Sequence, residues 1–169
     1  MRLKIDSTWD GAAIGPDEAV VLEIRRTEGG LRLALDAPFH GDPPPNVAPG
    51  PTWALWEHEV VELFILGSEE RYTEIELGPH GHHLALRLEG RRNIVARELP
   101  LRFTANIQGD RWTGEAHLPF EFLPPGPHRG NATAIWGLGE GRRYLAAHPM
   151  PGPQPDFHRL DAWMPLSLP

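Results

Sequence analysis

From Val60 to Glu89 the chain alternates between aliphatic side chains and carboxylates or aromatics, and this alternation constrains the fold more than any other feature. Three apolar runs are cut by turn-forming clusters, the pattern of three successive antiparallel strands. A strand sends neighbouring side chains to opposite faces. In the first run Val61, Leu63 and Ile65 share one face, while His58, Val60, Glu62 and Phe64 share the other. In the second, Ile75 and Leu77 oppose Tyr72, Glu74 and Glu76. In the third, Leu84, Leu86 and Leu88 oppose His83, Arg87 and Glu89. With every aliphatic face turned to one core, Glu62, Glu74, Glu76, His83 and Arg87 are expected together on the outer face. The result would be a charged sheet face edged by aromatics.

The rest of the chain repeats the β pattern. Val20–Thr27 and Leu31–Asp36 flank a Gly29-Gly30 turn, a hairpin signal, with Leu31, Leu33 and Leu35 expected to face the core. Residues 101–108 and 111–118 form a second hairpin around Gly109-Asp110, and 131–138 and 143–147 read as further strands. A closing strand is expected over 162–168, at an edge because of Pro165. Two proline-rich stretches, 37–52 and 148–156, cannot form regular ladders, since proline lacks the backbone donor. Long stiff loops often line binding sites, and the 37–52 loop is expected to wall one. No stretch carries a helical period with caps. About ten short strands separated by Gly/Pro turns predict an all-β fold, a two-sheet antiparallel β-sandwich.

Length and charge set limits. At 169 residues the chain suits one domain, 1–169. A net charge of −7 argues against nucleic-acid or anionic-membrane partners, which require a dense basic patch. No cysteine is present, so thiol nucleophiles and thiolate metal sites are excluded. With no leader-like N-terminus and no apolar run of membrane-spanning length, a cytoplasmic location is expected.

The run Leu31-Arg32-Leu33-Ala34-Leu35-Asp36, a loop, then Leu55-Trp56-Glu57-His58-Glu59-Val60-Val61-Glu62-Leu63-Phe64-Ile65 resembles the core of DOMON-like sandwiches related to carbohydrate-binding module family 9. Tyr72-Thr73-Glu74-Ile75-Glu76, with Pro79 and Gly81 after it, matches the next element of those domains. Within that superfamily the chain is most similar to an uncharacterised family shared by bacteria and animals. The resemblance implies a jelly-roll-like sandwich and carries no activity with it. Superfamily members that bind sugars hold them between two tryptophans; Trp56 lies in the motif, and Trp53 and Trp163 are candidates for the second. Some relatives bind haem through Met and His, but neither Met150 nor Met164 lies in such a motif.

Three constellations could carry function. Glu62, Glu74 and Glu76 beside an aromatic could accept hydrogen bonds from hydroxyls or amines, or could form a lattice with Arg87 and Arg91 on a solvated face. His80, His82 and His83 could ligate a metal with His58 or Glu76, although on a strand His83 would point away from the other two. Arg91 and Arg92 could clamp an anion or simply occupy a solvated turn. Asp156-Phe157-His158, leaving the second proline-rich loop, could close over the site or plug the sandwich end.

The reading that follows is a non-catalytic domain binding a small polar ligand such as a saccharide. Its ligand-binding set is Trp56, Glu62, Glu74, Glu76, Arg91, Arg92 and His158, with no catalytic residue, cofactor or metal assigned. The alternatives are a small enzyme acting on a sugar-like metabolite through paired glutamates, and an intracellular protein-interaction domain. An enzyme requires a glutamate with a raised pKa in a dry pocket, whereas an exposed, salt-bridged trio would exclude it.

Overall fold

The computed structural model describes residues 1–169. Thirteen strands form two antiparallel sheets, and the only helical pieces are single 3₁₀ turns. The strands are β1 (Arg2–Ile5), β2 (Ser7–Thr8), β3 (Val20–Arg26), β4 (Gly30–Pro38), β5 (Val60–Leu66), β6 (Arg71–Leu77) and β7 (His83–Glu89). They continue as β8 (Ile94–Ala96), β9 (Arg102–Gln108), β10 (Arg111–Pro119), β11 (Arg129–Trp136), β12 (Arg143–Ala146) and β13 (Met164–Pro165). The first sheet runs β1-β3-β4-β10-β9 and the second β2-β12-β11-β5-β6-β7-β8, with β13 attached to β11. The sequence therefore folds as the expected β-sandwich.

The main core lies between the sheets. Leu22, Ile24, Leu31, Leu33, Leu35, Trp112 and Leu118 of the first sheet meet Val61, Leu63, Ile65, Ile75, Leu77 and Ala134 of the second. A second apolar cluster occupies the opposite face of the larger sheet. There Val60, Phe64, Tyr72, Leu84, Leu86, Leu88 and Ile135 are covered by Met150, Phe157 and Trp163 from the C-terminal segment. Within that segment the Trp163 indole N–H donates to the Phe157 carbonyl at 3.0 Å, and Asn131 of β11 ties it to the sheet by donating to the His148 carbonyl at 2.7 Å. Both faces of this sheet are consequently dry.

Three expectations are corrected here. First, β7 is turned over. Its register pairs Leu84 with Glu76 and Leu86 with Glu74, so the leucines share the glutamates' face. His83 and Arg87 point to the other side, against Leu77 and Thr73. Assigning the leucines to the inter-sheet core presumes only one core, and the C-terminal segment supplies a second. Second, the closing strand 162–168 shrinks to a 3₁₀ turn, Leu160–Ala162, and the two-residue β13. Third, the 37–52 loop does not wall the cavity described below. Glu59, 5% exposed, holds it elsewhere by accepting backbone N–H donors from His40 at 3.0 Å and Asp42 at 3.3 Å.

Candidate functional site

On the C-terminally covered face, β5 and β6 pair Glu62 with Glu76 and Phe64 with Glu74. The alternation that places Val61, Leu63 and Ile65 in the main core forces these residues to the other face. The trio is buried, at 3% exposure for Glu62 and Glu74 and 0% for Glu76. One carboxylate oxygen from each lies within 4.8 Å of the others. An outer face that reads as solvated and charged is in fact enclosed.

No arginine forms an ion pair with any of the three. The lattice partners expected from sequence lie elsewhere: Arg91 and Arg92 both pair with Asp156, and Arg87 reaches the Glu121 carbonyl. Glu62 accepts a 2.5 Å hydrogen bond from the Thr133 hydroxyl on β11. No donor meets either carboxylate oxygen of Glu76 in hydrogen-bond geometry, although the Trp56 backbone N–H approaches it.

Burial of this kind disfavours the charged form. It raises the Glu62 pKa to about 7, against the opposing Thr133 hydrogen bond and the Arg142 charge. Glu74 is held well above the usual carboxylate range by burial and then by Glu62. Glu76 is raised likewise by burial, Glu74 and Glu62, with only the Trp56 backbone opposing. Three such groups cannot all ionise together without a cation, so they share protons.

A cavity of about 320 Å³ opens beside them. Glu62, Phe64 and Glu74 form its floor, and Leu86, Leu88, Ile94 and Ile135 line its apolar sides. Trp56 and Tyr144 stand as aromatic walls, while Pro155–His158 and Arg92 close the far side. Trp56 rides on a 3₁₀ turn, Leu55–Glu57, fixed by Arg142, whose guanidinium donates to the Trp56 carbonyl at 2.6 Å and the Glu57 carbonyl at 3.0 Å.

His158 is positioned by Tyr72. The phenol accepts the Arg92 backbone N–H at 3.0 Å and lies 2.8 Å from His158 Nδ1. Burial, then the Arg92 charge, lowers the His158 pKa to about 4, so the ring is neutral near pH 7. The phenol and Nδ1 share one hydrogen bond, and Nε2 lies 4.0 Å from Glu74 Oε2. Asp156 joins this lid to β8's approach. Burial favours its neutral form, but the Arg92 hydrogen bond and the Arg92 and Arg91 charges outweigh it and hold the carboxyl below its usual range.

Of the residues singled out from sequence, the structure gathers Trp56, Glu62, Glu74, Arg92 and His158 around the cavity. Glu76 lies directly behind Glu62, and Arg91 is an outer partner of Asp156. Neither candidate for a second tryptophan lines the cavity. Trp163 packs on Phe64 in the second core, and Trp53 is 41% exposed beneath Arg97. Phe64, Tyr144 and Phe157 supply the other aromatic surfaces. His58, His80 and His82 line one narrow pocket, but they do not bring three ligand atoms together: His82 bonds the Val47 carbonyl, His58 the Pro43 carbonyl, and His80 packs on Phe39.

Sequence reasoning missed Thr133, Tyr144 and Arg142. The available signal was Asn131 and Thr133 alternating with alanines in an otherwise apolar strand; both are 0% exposed. Nothing local announces that Tyr144 or Arg142 belongs with Trp56, far away in the chain.

No family model matches the chain. A mouse protein, UPF0462 protein C4orf33 homolog, is 43% identical over 177 residues, covering 99% of this chain and 92% of its own. The chain belongs to the UPF0462 family. Human UPF0462 protein C4orf33 is 42% identical over 170 residues, spanning 95% of this UPF0462 chain and 85% of the human one. Among solved structures, a proposed carbohydrate-binding protein from Bacteroides uniformis superposes with a TM-score of 0.76 at 16% identity, covering 97% of this chain and 84% of that one. A carbohydrate-binding module of family 9 from Caldicellulosiruptor kristjanssonii, solved with cellotriose, superposes at 0.54 with 10% identity, over 88% of this chain and 71% of that one. At such identities the likeness is one of fold: this UPF0462 chain is a carbohydrate-binding-like β-sandwich.

Proposed function

We propose that the chain binds a small polyhydroxylated ligand, a saccharide or sugar-like metabolite, in the cavity over Glu62 and Glu74, without transforming it. The observation that carries this reading is a pair of buried carboxylates, unpaired with any arginine, on the floor of an aromatic-walled cavity. Carboxylates in a dry site accept hydroxyl hydrogen bonds strongly, and Trp56 and Tyr144 offer apolar surface to sugar C–H faces. About 320 Å³ is at the small end of ligand pockets, which run to roughly 1,000 Å³, and suits a short ligand rather than a polymer. Kinship with DOMON-like domains belongs to the same reading and rests on the 55–65 motif within a sandwich.

One observation favours a second reading, acid–base chemistry on such a ligand: burial brings Glu62 to about 7, where a carboxyl can give or take a proton. Geometry counts against glycoside hydrolysis. Glu62 and Glu74 rise from neighbouring strands of one sheet face, whereas a hydrolytic pair flanks the scissile bond from two sides.

The test is calorimetric titration of a panel of mono- and disaccharides and sugar phosphates against the wild-type chain and Glu62→Gln. The reading expects at least one ligand with a dissociation constant below about a millimolar, weakened tenfold or more by the substitution. A panel in which nothing binds would discard it.

A further inference from the structure

The histidines were the metal candidates in the sequence, and although His58, His80 and His82 share one narrow pocket, they do not bring three ligand atoms together. The carboxylates do. We infer that Glu62, Glu74 and Glu76 form a binding site for a divalent, oxygen-preferring cation of Mn²⁺ to Ca²⁺ size at the base of the cavity.

Two independent observations support this. The first is distance. One oxygen from each carboxylate lies within 4.8 Å of the others. Two ligands on opposite sides of one ion are separated by twice the metal–oxygen distance, about 4 Å for Mg²⁺ and about 5 Å for Ca²⁺. Separations no greater than that allow the three oxygens to face one such ion without moving a strand. The second is Glu76. Its side chain is fully buried, it faces the cluster through its pairing with Glu62, and no donor meets either oxygen in hydrogen-bond geometry, the Trp56 backbone N–H approaching without reaching it. A buried carboxylate with nothing to accept is disfavoured unless a ligand supplies the missing partner.

The donor set selects the ion. Three carboxylates and no thiolate suit hard cations, and their combined charge exceeds what one divalent ion neutralises. Neighbouring central strands hold the ligands on rigid backbone, as an organised site requires. Glu62 and Glu74 also line the cavity, so remaining coordination positions open toward it. The cation site shares these two residues with the ligand reading but does not depend on it. Glu76 separates the two, since it does not line the cavity.

The experiment uses the full chain, stripped with EDTA and titrated calorimetrically with MnCl₂, CaCl₂ and MgCl₂, alongside Glu76→Gln and Glu62→Gln. Gln keeps the shape and removes the charge, and circular dichroism confirms that each variant is folded. One-to-one binding of Mn²⁺ or Ca²⁺ is expected, weakened well over tenfold by Glu76→Gln, because loss of even an outer partner costs a metal site about that much. No binding by the wild-type chain at millimolar cation, or binding unchanged in both variants, overturns the inference. The saccharide panel is repeated in EDTA and in saturating cation. Cation binding with no saccharide bound supports the cation site while the ligand reading fails; a saccharide bound to a chain that takes no cation does the reverse.

Discussion

Glu62 on β5 and Glu76 on β6 are direct cross-strand partners, and both are buried. Like charges in that position destabilise a sheet even on a wet surface. In a dry site the opposition is stronger, and the pair persists only by retaining protons or by holding a cation. This relationship makes the covered face of the larger sheet the place where pH, ions and ligands should all be felt.

The first prediction concerns the alkaline limb of stability in cation-free buffer. The folded Glu62 pKa of about 7 lies above its ordinary 4.5, so between these values the unfolded chain has lost a proton that the folded chain keeps. Stability therefore falls as pH rises from 4.5 through about 7, by up to roughly 3 kcal/mol. Urea unfolding across this range should show the slope, to which Glu74 and Glu76 add in the same direction, and Glu62→Gln should make it shallower. Equal slopes in both proteins would contradict the assignment.

His158 acts in the opposite direction. Its folded pKa of about 4 lies below the ordinary 6.5, so on acidification the unfolded chain takes up a proton that the folded chain refuses. Stability is lost as pH falls from 6.5 toward 4, again by as much as about 3 kcal/mol. NMR titration of the His158 ring should find it neutral at pH 6, and His158→Asn should reduce the acid limb.

Tyr72→Phe removes the hydroxyl that accepts the Arg92 N–H and orients His158. The part-buried donor loses its partner at a cost of about 1 kcal/mol. Hydrogen exchange should quicken at residues 91–93 and 156–158 and remain slow in β3 and β4.

Glu59→Ala separates loop anchoring from the cavity. It strands the His40 and Asp42 amides, so exchange should quicken over 39–43 and stability should fall by about 1–3 kcal/mol. Affinity for any ligand bound over Glu62 and Glu74 should stay within about twofold, because this loop lies outside the cavity wall. A larger change would return the 37–52 loop to the site.

Much of the fold was legible because strand alternation is local. Val61, Leu63 and Ile65 declare one face of β5 and thereby send Glu62 to the other, whatever lies around them. The same alternation aligned Glu74 with Glu76, and Gly29-Gly30 and Gly109-Asp110 announced the two hairpins, although the first turns on Glu28-Gly29 with Gly30 inside β4. The face of β7 was misassigned for the same local reason. Leucines at 84, 86 and 88 announce burial but not which of two apolar layers receives them.

The sequence by itself determined the two-sheet sandwich, the sharing of one face by Glu62, Glu74 and Glu76, and the motif carrying Trp56, since each depends on spacing along a single run. Only the tertiary structure decided that this face is buried, that Arg91 and Arg92 serve Asp156 rather than the glutamates, and that Tyr144 and His158 join Trp56 around one cavity. Those facts depend on where residues 148–163 return across the larger sheet. Desolvation is set by what covers a side chain in space, and period-two alternation carries no record of it.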